Sequence, residues 1–186
     1  MIAGLRGAIP EKRFAHVAGV AETAARLARI HGADPAKAEL AGWLHDCAKG
    51  IPVERQVAEC DRLGVPLDEW TRVCPPVVHG TLGAFFARRD YGVDDPEVLQ
   101  AIRRHTVGAA DMSLLDKIVF VADLVEPGRS FEGVEKLRAL AETDLDEAIL
   151  VSIERQLALN AARRRPLHPA MLLLWNSLLP RTRPHP

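Results

Sequence analysis

The sequence predicts an all-α fold, a single-domain helical bundle around a central site, and three observations carry that prediction. Apolar residues recur at three- and four-residue steps, capping residues precede these runs, and glycine or proline ends them. No segment shows the two-residue alternation of a strand. Composition agrees: 186 residues with 48% hydrophobic and 26% charged residues suit one compact domain, and only 5% aromatics beside abundant Ala, Leu and Arg favour helix over sheet.

The first helix spans Arg13 to Ile30, with Phe14, Val17, Ala21, Ala24, Leu27 and Ala28 on one face and Gly32 to end it. Asp34-Pro35 is a cap followed by a proline at the first helical position, opening a second helix through Leu40, Trp43, Leu44 and Cys47 to a stop near Gly50. A more polar helix fits Val53 to Leu63 before Gly64, and Pro75-Pro76 separates it from another running from near Val78 to Gly92. Asp95-Pro96 repeats the cap-plus-proline signal for a helix reaching His105. The apolar run Leu114 to Val125 stops at Pro127-Gly128, and amphipathic stretches follow at Val134–Ala141, Leu145–Ala162 and Ala170–Leu179. The whole chain is expected to be one domain, with a core over about 13–165, a C-terminal helix over about 170–179 and a short tail to 186.

The formal net charge is −1, so the chain offers no global field for nucleic acid or an anionic membrane, and phosphate recognition would need a local patch or a metal. Cys47, Cys60 and Cys74 are odd in number and lack zinc-site spacing, which suits free thiols in a reducing compartment. No apolar segment resembles a signal peptide or a membrane span, and a cytoplasmic protein is the expectation.

Seven histidines are present, and their positions matter more than their number. His16 lies beside the apolar stripe of the first helix, and His45-Asp46 lies beside the stripe that anchors the second. An ionised aspartate buried there without compensation costs several kcal/mol, roughly, and a divalent cation removes that penalty. Asp123 interrupts the apolar run from Lys117 to Val125, where the only base in the run, Lys117, lies on another face, so metal is favoured as its partner. Taken singly each of these residues is an ordinary polar side chain; the joint pattern points to a metal. His31, His168 and His185, at a helix end, in a loop and in the tail, read as plain polar residues.

At these residues the chain resembles the HD superfamily of metal phosphohydrolases, whose signature is H…HD…D. The segments HDCAKG (45–50), VVHG (77–80), RRHT (103–106), FVADLVEPGR (120–129), FEGVEKLR (131–138) and DLDEA (144–148) are similar to one branch, the YqeK-like symmetrical diadenosine tetraphosphate hydrolases of bacteria. The late PLHPAMLLLWN (166–176) also fits that branch, apart from Ala170-Met171, where a Thr is expected, and Trp175, where a more polar residue is. The resemblance implies a two-metal centre in which His16, His45, Asp46 and Asp123 hold one ion and His79 and His105 a second, with Asp46 bridging. A ligand set of imidazoles and carboxylates suits iron or manganese better than magnesium, and the resemblance favours iron.

Two such ions, roughly 3.5–4 Å apart, would hold a bridging hydroxide for in-line attack on a phosphate chain. Asp46 and Lys49 are then the expected catalytic residues. Lys49, Arg104, Thr106 and Arg129 are the expected substrate contacts, Lys49 because i+4 spacing places it on the helical face of His45. The substrate, diadenosine tetraphosphate cleaved to two ADP, rests on the resemblance alone. A one-metal 5′-nucleotidase, a di-iron oxygenase and a non-catalytic nucleotide-binding regulator are the rivals. A cyclic-dinucleotide phosphodiesterase would be expected to carry a GYP segment, which is absent. The partner is a small nucleotide, and the chain could be a monomer or a homodimer, with Met171–Leu179 packing on another subunit or on the core.

Overall fold

Residues 2–179 are described by a computed structural model, which places eleven α-helices and two short 3-10 turns among them, and no strand. In chain order these are α1 (Ile2–Ala8), α2 (Glu11–His31), α3 (Pro35–Leu44), α4 (Val53–Leu63), α5 (Glu69–Val73) and α6 (Val78–Tyr91). There follow α7 (Pro96–Arg104), α8 (Leu114–Val125), α9 (Val134–Thr143), α10 (Leu145–Ala162) and α11 (Pro169–Leu178). The expected tail after residue 179, with His185, lies outside the described residues.

The two Asp-Pro caps act as the sequence predicts, and a third cap joins them. Asp34 and Asp95 each accept two backbone N–H groups at the starts of α3 and α7. Ser113 and Asp116 form a reciprocal capping box at the start of α8.

Three departures from expectation have physical causes. The helix through His45 does not continue to Gly50: α3 ends at Leu44, and Cys47–Gly50 is a 3-10 turn. Its apolar side chains Cys47 and Ala48 still face the core, so the hydrophobic pattern persists across a change of backbone. Secondly, α1 and α5 are short helices, burying only Leu5 and Thr71 respectively, too little to leave a periodic signal. Finally, His168 is not a plain loop residue but the buried N-cap of α11, while His31 does remain an ordinary polar residue, bonded to the Ala141 carbonyl at 2.7 Å.

Helix α8 is the axis of the bundle. Ile118, Val119, Val121 and Ala122 are fully buried, and the helix packs on α2, α3, α7, α9 and α10. The most intimate pair is α2 with α3. A Cβ at Gly42 would stand 2.6 Å from the Ala21 Cα, so only glycine lets these backbones meet. One continuous apolar core runs from Leu5 to Leu174 and holds the C-terminal end of α3, the start of α6, the end of α7 and the end of α8 around one point.

Candidate metal centre

The residues at that point come from five elements. His16 lies mid-way along α2; His45 and Asp46 sit where α3 gives way to the 3-10 turn; His79 is in the first turn of α6; His105 caps the end of α7; Asp123 is in the last turn of α8. The break after Leu44 explains how adjacent residues can serve one cluster: on a continuous helix their side chains would diverge by about 100°. Asp46 leaves the helix and turns its carboxylate inward.

Asp46 stands in the middle. Its Oδ2 is 3.5 Å from His45 Nε2 and 3.8 Å from His16 Nε2, while its Oδ1 is 3.3 Å from His79 Nε2 and 3.7 Å from His105 Nε2. Asp123 Oδ1 lies 2.9 Å from His16 Nε2 and 3.8 Å from His45 Nε2. The Nε2 atoms of His79 and His105 face each other at 3.1 Å. Potential ligand atoms of His16, His45 and Asp123 all lie within 4.8 Å of one another, as do those of His45, Asp46 and His105.

The orientation of the imidazoles fits metal ligation. His45 and His105 each donate Nδ1–H to a backbone carbonyl three residues earlier, Gly42 and Ile102, both at 2.7 Å. His16 donates from Nδ1 to Glu126 Oε1 at 3.0 Å. Each of the three thereby keeps an Nε2 lone pair directed at the cluster. The buried Nε2 atoms of His16 and His45 have no hydrogen-bond partner, the kind of orphan that a bound cation would explain. Burial pushes His45 down to about 4 and His79 well below the usual imidazole range, so both are neutral near pH 7, as metal ligands must be.

Burial alone would raise the two aspartates. The adjoining histidines outweigh it and hold Asp46 well below the usual carboxylate range; His16, His45 and Arg129 do the same for Asp123.

The structure gathers His16, His45, Asp46, His79, His105 and Asp123 into one cluster and treats the expected substrate contacts unequally. Lys49 and Thr106 line a cavity of about 820 Å³ that opens from Asp46, His79 and His105. Helical i+4 spacing does not put Lys49 there, because the helix has already ended; the 3-10 turn does. Arg129 also lines the cavity, but its guanidinium donates to the Asp123 carboxylate and backbone carbonyl. Asp123 thus has a base beside it that the sequence argument, confined to the run Lys117–Val125, does not consider. The Pro127-Gly128 turn folds Arg129 back onto a helix end that the linear run does not reveal. Arg104 is turned elsewhere, bound to Asp116 at 2.9 Å and Asp111 at 3.0 Å, and is not part of the cavity wall.

Two site residues escape sequence reasoning. Arg13 donates to Asp46 Oδ2 at 2.9 Å from the first turns of α2, where it reads as a solvated residue. Glu126 is 4% exposed, and besides His16 it accepts the Gly128 N–H. Its signal is a carboxylate immediately before Pro127-Gly128 and just past an apolar helix.

Comparison with known proteins places this geometry. A family model described as "HD domain" matches residues 13–128, which hold the whole cluster. The chain belongs to the HD domain family. This HD domain chain is similar to the "Bis(5'-nucleosyl)-tetraphosphatase, symmetrical" of Halalkalibacterium halodurans, 40% identical over 92% of this chain and 91% of that protein. The Bacillus subtilis protein of the same name is 38% identical, over 96% and 95%. Among solved structures, a predicted HD superfamily hydrolase from Clostridium acetobutylicum, described as involved in NAD metabolism, superposes with a TM-score of 0.91 at 39% identity. The match covers 95% of this chain and 94% of that one.

Proposed function

We propose that this HD domain protein is a metal-dependent symmetrical dinucleoside tetraphosphatase, hydrolysing diadenosine tetraphosphate to two ADP. The observation that carries the reading is the division of Asp46, one oxygen toward His16 and His45 and the other toward His79 and His105. In this reading His16, His45, Asp46 and Asp123 hold one ion and His79 and His105 the other, with Asp46 common to both. When bound, divalent metals supply Lewis acidity toward phosphoryl oxygens and make water a stronger acid near neutral pH. Iron is the ion we assign, manganese being suited by the same donors.

The remaining work falls to the chain's own groups. Lys49 is half-buried beside Asp46, and burial lowers its ammonium from the ordinary lysine value while leaving it a phosphate-binding cation. Arg129, pinned by Asp123, presents its outer edge to the cavity and can contact a phosphate there. Arg13 steadies the Asp46 carboxylate. The apolar walls at Phe120, Leu124 and Val77 keep bulk water from the reacting phosphate. The names of the relatives support the substrate, and a cavity of about 820 Å³ is in the range expected for a ligand of that size.

The single HD domain is taken to run over the full core, and its place is assigned to the cytoplasm. The buried free thiols Cys47, Cys60 and Cys74 suit a reducing compartment, and no described helix is long and apolar enough to cross a membrane. The deciding experiment is incubation of the iron- or manganese-loaded protein with diadenosine tetraphosphate and chromatographic separation of the products. ADP alone is the expected outcome. ATP with AMP, or no turnover with either metal, overturns the reading.

A further inference from the structure

The three anhydride bonds of a dinucleoside tetraphosphate are chemically similar, so a metal centre by itself has no means of choosing the middle one. Cleavage there adds a water oxygen to the second phosphorus and breaks its bond to the oxygen bridging to the third, releasing two ADP. A slip by one phosphate gives ATP and AMP instead. Symmetric cleavage therefore requires that one nucleoside be gripped at a fixed distance from the centre.

The far wall of the cavity has the chemistry for that grip. Away from Asp46 and Asp123 it carries three cations, Lys136 on α9, Arg155 on α10 and Arg165 just beyond α10, against the single carboxylate of Glu132. Two neighbouring arginines are tied to acids: Arg138, also on α9, pairs with Glu135, and Arg129 pairs with Asp123. Lys136, Arg155 and Arg165 make no ion pair among the described residues, so their charge is free for a ligand.

Arg155 instead lies over the Phe131 ring, its guanidinium carbon 4.3 Å from the ring centroid. A guanidinium stacked on a phenyl ring is a platform on which a nucleobase can continue the stack. The amides of Gln156 and Asn160 line the same wall, bonded to each other at 3.0 Å, and can offer donors and acceptors to a base edge.

The end of α10 places Arg165 at this wall. After α10 ends, Arg164 takes φ +50°, the one non-glycine residue in the left-handed region among the described residues. A side chain in that position, where helices usually place glycine, costs about 1 kcal/mol. The turn closes with Arg165 N–H bonded to the Asn160 carbonyl at 2.9 Å and brings Arg165 back to the cavity.

We infer that Phe131, Lys136, Arg155 and Arg165 form a distal nucleotide subsite that holds one nucleoside diphosphate half of the substrate and sets which anhydride lies at the metal centre. The inference rests on the proposed function, and its test separates the two. Metal-loaded parent and the triple variant Lys136→Gln/Arg155→Gln/Arg165→Gln are compared by titration with ADP and by the products from diadenosine tetraphosphate. The variant is expected to bind ADP about tenfold more weakly, to show a KM raised by a similar factor, and to release ATP and AMP beside ADP.

ADP affinity and KM within about twofold of the parent, with ADP still the only product, overturn the subsite. Should the parent make no ADP from the tetraphosphate, the proposed function falls, while the ADP titration still decides whether the wall binds a nucleotide. If the triple variant lacks the parent's cooperative melting transition, Phe131→Leu and Arg165→Gln are used singly. Each is then expected to weaken ADP about threefold, and no change in both overturns the inference.

Discussion

A buried imidazole offers a metal only one nitrogen once the other is committed, and for His16 that commitment is made by Glu126. The carboxylate is held in place by the Gly128 N–H and fits against Gly19, where a Cβ would stand 2.8 Å from Oε2. Glu126→Ala is expected to lower metal affinity by about 10- to 100-fold, with Glu126→Gln recovering part of the loss because its amide oxygen can still accept from Nδ1. Chelator competition measures both, and equal losses in the two variants would contradict the role. Of the six expected ligands, His16, His45, Asp46 and Asp123 are legible as polar residues in or beside apolar stripes such as Lys117–Val125, whereas His79 and His105 come only from the family resemblance. Glu126 and Arg13 are not legible, since one looks like a turn residue and the other like a solvated helix residue. Arg104 illustrates the converse: it adjoins His105 in sequence, yet a helix points neighbours in different directions, and its guanidinium goes to Asp111 and Asp116.

Among the elements, the contact between α2 and α3 bears most directly on the centre, because α2 carries His16 and α3 leads into His45. Gly42→Ala would force a methyl against the Ala21 backbone, at 2.6 Å from Cα and 2.9 Å from N, where no side chain can yield. A loss of about 1–3 kcal/mol in unfolding free energy is expected, measured by urea denaturation of the metal-free protein. Weaker metal binding should accompany it, since the Gly42 carbonyl orients His45. Helix starts and stops were readable to within a residue or two wherever Asp-Pro, Gly or Pro-Gly marked them, as at Asp34, Asp95 and Gly92. The end of α3 was not. Over one turn, an α-helix and a 3-10 helix bury nearly the same side chains, so a periodic pattern does not register the change.

For the molecule as a whole, the clustered histidines couple stability to pH. His45 titrates near 6.5 when unfolded and is pushed down to about 4 by burial in the fold, so the unfolded chain binds the extra proton in between. Without metal, its contribution is complete above about 6.5 and is lost as pH falls toward 4, at most about 3 kcal/mol. His79 acts in the same direction, and the depressed Asp46 and Asp123 lose theirs at lower pH still. His16 opposes them: Asp123 and Glu126 raise it against the effect of burial, so its contribution is full at low pH and lost as pH rises through its folded value. The net expectation is a metal-free protein that weakens on acidification from pH 7 to 5, followed by urea unfolding at several pH values. A stability that is flat or rises toward pH 5 would show that His16 outweighs the buried pair.

The family match ends at residue 128, but the cavity does not; Phe131 to Met171 supply its far wall. The cluster and the far wall therefore occupy separate stretches of chain, the histidines and aspartates before residue 128 and most of the wall after it. Cavity-facing side chains such as Lys136 and Arg155 can change without touching the cluster, whereas Arg138 on α9 bonds the Val125 and Glu126 carbonyls and is tied to it. On the proposed function, nucleotide preference is therefore open to change at the cavity-facing positions of the last third of the chain while the cluster is kept.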